Sequence, residues 1–333
     1  MADGIGQATA GALAGGPTDA TAPLWATVVL PVALVVAALV AKAYDAALPT
    51  GGEPGPARRS LSALGARAVR PLYEALRLLV QQRRRTTAAD VLLGRVGVAL
   101  VPIAAVLAAA VLPWGFRALV DPDVGVVWFN AMEALAWAAV WLAGWGPNAV
   151  LPLIGGYRFL AQGLAYELPH MFALTTAALG AGSLRVGEVV RAQEGLWFAV
   201  WMPVAFIVYL VSALAMSFWG PFGHPVGQDV AGGVAAELSG VDRLLLSGGR
   251  WVLFVSTAAF AVPLFLGGGH GPLLPPWAWT LVKTGSVLAL LVAVRRALPT
   301  IRMDRYMAFS WLLLLPLTMV QALVVAVVVL ERR

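Results

Sequence analysis

Eight apolar blocks, each about twenty residues long, fill most of this chain. A bilayer's hydrocarbon core takes roughly 20 helical residues to cross. Backbone buried in lipid must satisfy its own polar groups, and a helix does so without closing a barrel. The reading is therefore all-α: a polytopic membrane protein with about eight transmembrane helices, at 24–45, 91–113, 124–144, 163–183, 196–217, 250–267, 277–294 and 308–330. Hydrophobic residues make up 60% and charged residues 12% of the chain. A soluble domain carries about twice that charge, so a soluble fold is excluded.

Arginine gathers in every second gap. The first gap holds Arg58, Arg59, Arg67, Arg70, Arg77, Arg83, Arg84 and Arg85; the third holds Arg158, the fifth Arg243, and the seventh Arg295, Arg296, Arg302 and Arg305. The other side has only Arg117, Arg185, Arg191 and the terminal Arg332 and Arg333. The positive-inside bias puts the odd-numbered gaps in the cytoplasm and both termini outside a cell (inner) membrane that the chain crosses several times. The net charge of +6 is thus a topology signal, and no nucleic acid is expected as a partner.

The chain divides into an outer tail over 1–23, expected to be disordered, and a single transmembrane helical domain over 24–330. The start lacks the basic n-region of a secretory signal. Within the domain, 46–90 forms a cytoplasmic linker and an amphipathic helix. Leu72, Leu76, Leu79 and Val80 repeat at helical spacing, and Pro71 suits a first helical turn. Residues 218–249 form a second cytoplasmic loop, an ordered cap or a docking surface. No internal repeat supports an inverted-repeat transporter.

Ionisable residues inside a membrane are costly and usually tied to function. Glu133 lies midway along the third span, Glu167 and His170 in the fourth, Lys283 in the seventh, and Arg250 opens the sixth. Glu167 and His170 are three apart and share a helix face, as a proton-binding pair would. Glu167 pairing with Arg158 is the structural alternative. Glu133 and Lys283 are candidates to pair across the bundle, although Glu133 also suits helix packing and Lys283 a wet cavity. A carboxylate di-iron site needs a second Glu-x-x-His motif and two further Glu, which are missing, so no metal is expected. The chain has no cysteine, hence no thiolate to ligate an iron–sulfur cluster. Phosphate-loop, dinucleotide-fingerprint, zinc-protease and nucleophile-elbow motifs are also lacking.

One stretch carries a family resemblance. Ala143-Gly144-Trp145-Gly146-Pro147-Asn148, Leu153-Ile154-Gly155-Gly156-Tyr157-Arg158, Gln162 and Tyr166-Glu167-Leu168-Pro169 resemble the H subunit family of respiratory complex I, the proton-pumping NADH:quinone oxidoreductase. Ala181-Gly182-Ser183-Leu184, Ala192-Gln193, Gly271-Pro272-Leu273-Leu274-Pro275-Pro276 with Lys283, and Arg295, Leu298-Pro299, Arg302 and Asp304 continue it in order. Arg70-Pro71, Glu74 and Arg77-Leu78-Leu79 resemble the family's amphipathic helix.

The resemblance implies a non-autonomous subunit that links a redox arm to a membrane arm and forms part of a quinone chamber, with quinone as substrate and no covalent cofactor. It implies as partners the iron–sulfur and quinone-site subunits of the peripheral arm, other membrane-arm subunits and the lipid bilayer. Carried over by position, Glu74 and Arg77 lie near the quinone entrance, Arg158 and Glu167 on the proton-coupling path and Glu237 in the chamber loop; Arg158, His224 and Asp229 are further quinone-chamber candidates. The chain also departs from the family. Met216 and Arg250 stand where glutamates are usual, Trp219 where an arginine is, and the loop Pro221-Phe222-Gly223-His224-Pro225 has lost most of its carboxylates. Exchanging Glu for Met or Arg removes proton-holding groups, so the expectation is a divergent paralogue with altered or weakened coupling. The alternatives are an anchor subunit of a related membrane-bound hydrogenase or cation-translocating complex, and an independent small-molecule or ion transporter.

Overall fold

The computed structural model describes residues 23–48 and 61–331. The expected outer tail and most of the breaker-rich linker lie outside the described residues. Helices α1 (Ala26–Ala47), α2 (Leu61–Val80), α3 (Val91–Ala109), α4 (Gly125–Trp145) and α5 (Val150–Ala181) follow one another. The short α6 (Val186–Arg191) and α7 (Phe198–Trp201) lead to α8 (Pro203–Met216), α9 (Gly240–Phe265) and α10 (Pro276–Ala297). The last helix, α11 (Met303–Glu331), contains a π-helical turn over Ser310–Leu314. No named strand occurs among the described residues. Helices α1, α3, α4, α9, α10 and α11 are long and apolar enough to cross a membrane by length and composition. The protein is an all-α polytopic membrane protein.

Helix α9 is the central post. Nearly every side chain from Trp251 to Phe265 is buried against α1, α3, α8 and α10. Helices α3 and α4 make the closest pair, because their shared face is built from small residues. A Cβ on Gly97 would lie 2.3 Å from the Ala143 backbone nitrogen, and one on Gly146 would lie 2.3 Å from the Gly94 Cα. Lipid supplies no hydrophobic force between helices, so close backbone approach at small residues carries the packing.

Four expected boundaries move, each for a local reason. Helix α2 begins at Leu61, so Pro71 lies inside it and not in its first turn. Pro71 is buried, and its ring faces the bundle while Leu72, Leu76 and Leu79 remain about half exposed on the helix surface. The fourth span starts at Val150, so Arg158 sits on a helix of about 48 Å rather than in a gap. Gly155 on this helix lets another backbone approach: a Cβ there would come within 2.4 Å of the Val234 nitrogen. The fifth span is broken at Met202, whose backbone leaves the helical region ahead of Pro203. The Ala205 amide this break frees donates to Gln321 Oε1 of α11 at 2.6 Å. The sixth span starts earlier, at Gly240, with an extra polar turn carrying Asp242 and Arg243.

Between α8 and α9 the chain folds back as three single 3-10 turns, His224–Val226, Gln228–Val230 and Gly233–Ala235, laid against α5. At the opposite end of the bundle Gln193 clamps the short segments. Its amide donates to the Val189 and Pro263 carbonyls and accepts from the Phe198 and Gly267 amides.

Candidate functional site

The chemistry-bearing residues fall into three places. The first is inside the bundle, where α4 and α5 cross. Asn130 and Glu133 are three apart on α4, Glu167 and His170 three apart on α5, and each pair presents one face. His170 Nε2 lies 2.9 Å from Glu133 Oε2, with both side chains fully buried. Asn130 Nδ2 donates to Glu167 Oε1 at 3.0 Å. So His170 meets the acid of the facing helix, and Glu167 takes an amide partner rather than Arg158. Glu133 Oε1, Glu167 Oε2 and His170 Nδ1 are buried with no hydrogen-bond partner among the described residues. The Tyr209 ring lies 5.2 Å from the His170 ring, and Trp137 Nε1 donates to the hydroxyl of buried Tyr166 at 2.6 Å. Asn130 did not stand out in the sequence. Its signal is the i,i+3 spacing to Glu133, which mirrors Glu167 and His170.

Lys283 is elsewhere. Its ammonium donates to the Leu266, Gly268 and His270 carbonyls at 2.6, 2.9 and 2.7 Å, with the Trp197 ring 4.4 Å away. These carbonyls belong to the end of α9 and the turn after it, where a cation is favourable. The expected Glu133–Lys283 pair is thereby replaced: each group is engaged by a nearer partner.

The second place is the loop on α5. Arg158 holds Asp229 through two parallel bonds, 3.0 and 2.7 Å, and reaches the His224 carbonyl at 3.4 Å. The Arg158 guanidinium holds the Asp229 carboxyl below the usual carboxylate range. His224 Nε2 in turn contacts the Ile301 carbonyl, tying the loop to the start of α11. Glu237 is exposed and not part of this latch; it borders a small surface pocket with Arg84, Arg85 and Arg95.

The third place is at the end where the arginines collect. An apolar groove of about 300 Å³ runs between α1, α2 and α9, lined by Val35, Ala38, Leu39, Leu72, Leu244 and Val252 among others. A charged cavity of about 320 Å³ adjoins it, and Lys42, Pro71 and Trp251 stand in both walls. Glu74 lies in this cavity, 3.3 Å from Lys42 and 3.4 Å from Arg70. Arg77 is exposed one turn on and lines neither space. Trp219 is sandwiched between two guanidiniums, Arg250 at 3.9 Å and Arg295 at 4.2 Å from its ring centre. Arg250 also donates to the Phe218 carbonyl at 2.6 Å. Trp219 and Arg250 thus form a cation–π stack.

Sequence comparison identifies the family of this helical bundle. The family model described as NADH dehydrogenase matches residues 54–326. The chain belongs to this family. The NADH-quinone oxidoreductase H subunit 1 of Geobacter metallireducens is 34% identical over 267 residues, 77% of this chain and 81% of that protein. The H subunit 2 of Geobacter sulfurreducens is equally similar, and the H subunit 2 of Syntrophobacter fumaroxidans is 32% identical over the same length. These values fit a divergent member of the H subunit family, as the residues at 216, 219 and 250 imply. Among the family positions, the two consecutive blocks at 143–158 and 162–169 fall on the end of α4 and on α5, the helices that carry the buried cluster.

Proposed function

We propose that this chain forms part of the quinone chamber of a complex I-type NADH:quinone oxidoreductase and joins its redox arm to its membrane arm. The observation that carries this reading is an apolar groove among membrane-spanning helices that shares Lys42, Pro71 and Trp251 with an adjoining charged, tryptophan-lined cavity. A lipid-soluble quinone has an apolar tail that suits the first and a polar ring that suits the second. The chain has no cysteine for a thiolate-held cluster, so the electrons come from iron–sulfur partners of the peripheral arm. The arginine-rich end faces the cytoplasm, the chain crosses the membrane eight times, and both termini lie outside.

The buried cluster supplies the proton side. Glu133 and His170 lie where solvent does not reach, Glu167 is partly buried beside them, and each of the three keeps a buried atom without a partner among the described residues. Arg158 and Asp229 anchor the chamber loop above it. Lys283, held by three backbone carbonyls, lies at the far end of the bundle. Met216, Trp219 and Arg250 support altered coupling, because the carboxylates that would link chamber to cluster are replaced by a thioether and a stacked cation.

Glu167→Gln tests this in the assembled complex reconstituted in sealed vesicles. Proton transport per quinone reduced should fall at least tenfold while the amount of assembled complex stays the same. Equal loss of both would mark a structural carboxylate. A hydrogenase-type or cation-translocating anchor is the second reading, favoured by the loss of loop carboxylates, of which Asp229 is committed to Arg158. A quinone-analogue photolabel should mark α1, α2 or α9 under the first reading and leave this chain unmarked under the second.

A further inference from the structure

The end of the bundle away from the crowded arginines holds a space that the proposed quinone site leaves unused. An apolar groove of about 400 Å³ lies between the first turns of α1 and the end of α3, with Trp25, Val29, Ala33, Leu112, Trp114 and Arg117 in its walls. The α1 wall from Trp25 to Ala33 rises about 12 Å, close to one leaflet's share of a hydrocarbon core about 30 Å thick. Arg117 is the only charged residue lining this groove. The turn that carries it is pinned on both sides. The Trp114 amide donates to the Arg117 carbonyl at 2.9 Å, the Gly115 amide to the Thr280 hydroxyl of α10 at 3.2 Å, and the Val120 amide to the Ala110 carbonyl at 3.0 Å. Gly115 has φ +72°, a conformation that suits glycine. Arg117 is exposed, and its guanidinium has no hydrogen-bond or ion-pair partner among the described residues. The other arginines described at this end are paired: Arg185 with Asp121 and Asp123, Arg191 with Glu188. Trp25 and Trp114 stand at the level where indoles sit between hydrocarbon and headgroups.

We propose that this groove holds one acyl chain of a phospholipid whose phosphate is bound by Arg117. An unpaired guanidinium beside an apolar slot is matched by an anion that carries its own apolar tail, and a bilayer lipid's phosphate diester is such a group. Guanidinium and phosphate pair through two parallel bonds. The methylene stem of an arginine lies along apolar surface while its head reaches the headgroups. The space suits an unbranched acyl chain better than a second helix, which is about 10 Å across. The outward face of α1, with exposed Val28, Val32 and Val36, leaves the lipid's other chain in the bilayer beside it. Lipid bound in this way fills the seam between α1 and α3 and holds the start of α1 on the bundle.

The test loads the assembled complex with phosphatidylglycerol bearing a diazirine in one acyl chain, or with diacylglycerol of the same chains, which lacks the phosphate. The complex is washed in detergent so that only retained lipid remains, illuminated, and mapped for acyl adducts by mass spectrometry. Adducts should fall within 25–33 and 109–119, about tenfold more of them from phosphatidylglycerol than from diacylglycerol, and excess glycerol phosphate should not remove them. Arg117→Gln should lower these adducts about tenfold, and Ala33→Phe, which fills the groove, should do the same. Arg191→Gln, at the same end but outside the groove, should leave them unchanged. Equal adducts from the two lipids, displacement by glycerol phosphate, full labelling of Arg117→Gln, or no adduct in either segment overturns the proposal. The comparison of the two lipids uses the unmodified complex, so it decides even if a variant does not assemble. Adducts are read without turnover and at the far end from the quinone cavity, so a failure of quinone binding leaves this result standing.

Discussion

His170 and Glu133 hold one another in a place from which water is excluded, and this fixes what their removal does. Breaking a buried charge pair at one partner costs about 3–5 kcal/mol, because the other is left uncompensated, whereas replacing both by apolar groups is often neutral. Glu133→Leu alone should lower the thermal midpoint of the detergent-solubilised complex by several degrees, and Glu133→Leu/His170→Phe should recover most of that loss. Additive losses across this cycle would mean that the two residues act separately. Asp229 behaves differently because it is exposed. Arg158 depresses its folded-state ionisation below the ordinary value near 3.9, so the latch contributes fully above that value and is lost as pH falls through the depressed one. Proteolysis within 224–232 should thus be unchanged from pH 7 to pH 5 and rise only in stronger acid. Asp229→Asn should show the raised cleavage already at neutral pH. The ionisable residues themselves were legible in the sequence, since each interrupts an apolar run. Their partners were not. Helical spacing pairs Glu167 with His170, but the facing helix brings Glu133 and Asn130 nearer, and which helices face each other is a tertiary fact.

Helices α3, α4 and α5 show why glycine misleads at the level of an element. In water a mid-helix glycine costs about 1 kcal/mol against alanine and signals a break. Here Gly155 lies well inside α5, and the missing Cβ admits the loop backbone at Pro225 and Val234. This glycine is therefore what seats the loop on its helix. Gly155→Ala should push the loop away. Amide exchange over 224–236 should speed up by at least tenfold, while exchange in α9 stays slow. Unchanged exchange over the loop would show that the contact can relax. Gly97→Leu at the α3–α4 crossing should be harsher and prevent accumulation of the chain, because its neighbour there is backbone and cannot move aside. The long apolar helices were legible because length and composition set them. The broken fifth span was not, since Pro203 divides a run that hydropathy alone reads as continuous.

At the scale of the whole molecule, charge and packing give the same sidedness. Asp45 at the end of α1 pairs with Arg296 at the end of α10, Glu74 on α2 lines the same cavity, and Ile301 before α11 contacts His224 of the α8–α9 loop. Lys283, His270 and Gln193 gather at the other. The proposed orientation puts the arginine-rich end at the cytoplasmic face, because positive charge in loops near the spans is retained on that side. The absence of cysteine makes the orientation directly measurable, since any single cysteine introduced is the only thiol. Arg85→Cys marks the arginine-rich end, and Leu274→Cys, on an exposed turn before α10, marks the other. A membrane-impermeant maleimide added to intact spheroplasts should modify Leu274→Cys and leave Arg85→Cys untouched until the membrane is opened. If Arg85→Cys reacts first, the groove, the cavity and the latch open away from the cytoplasm. No soluble redox arm could then reach them, and the quinone-chamber reading would fall with the orientation.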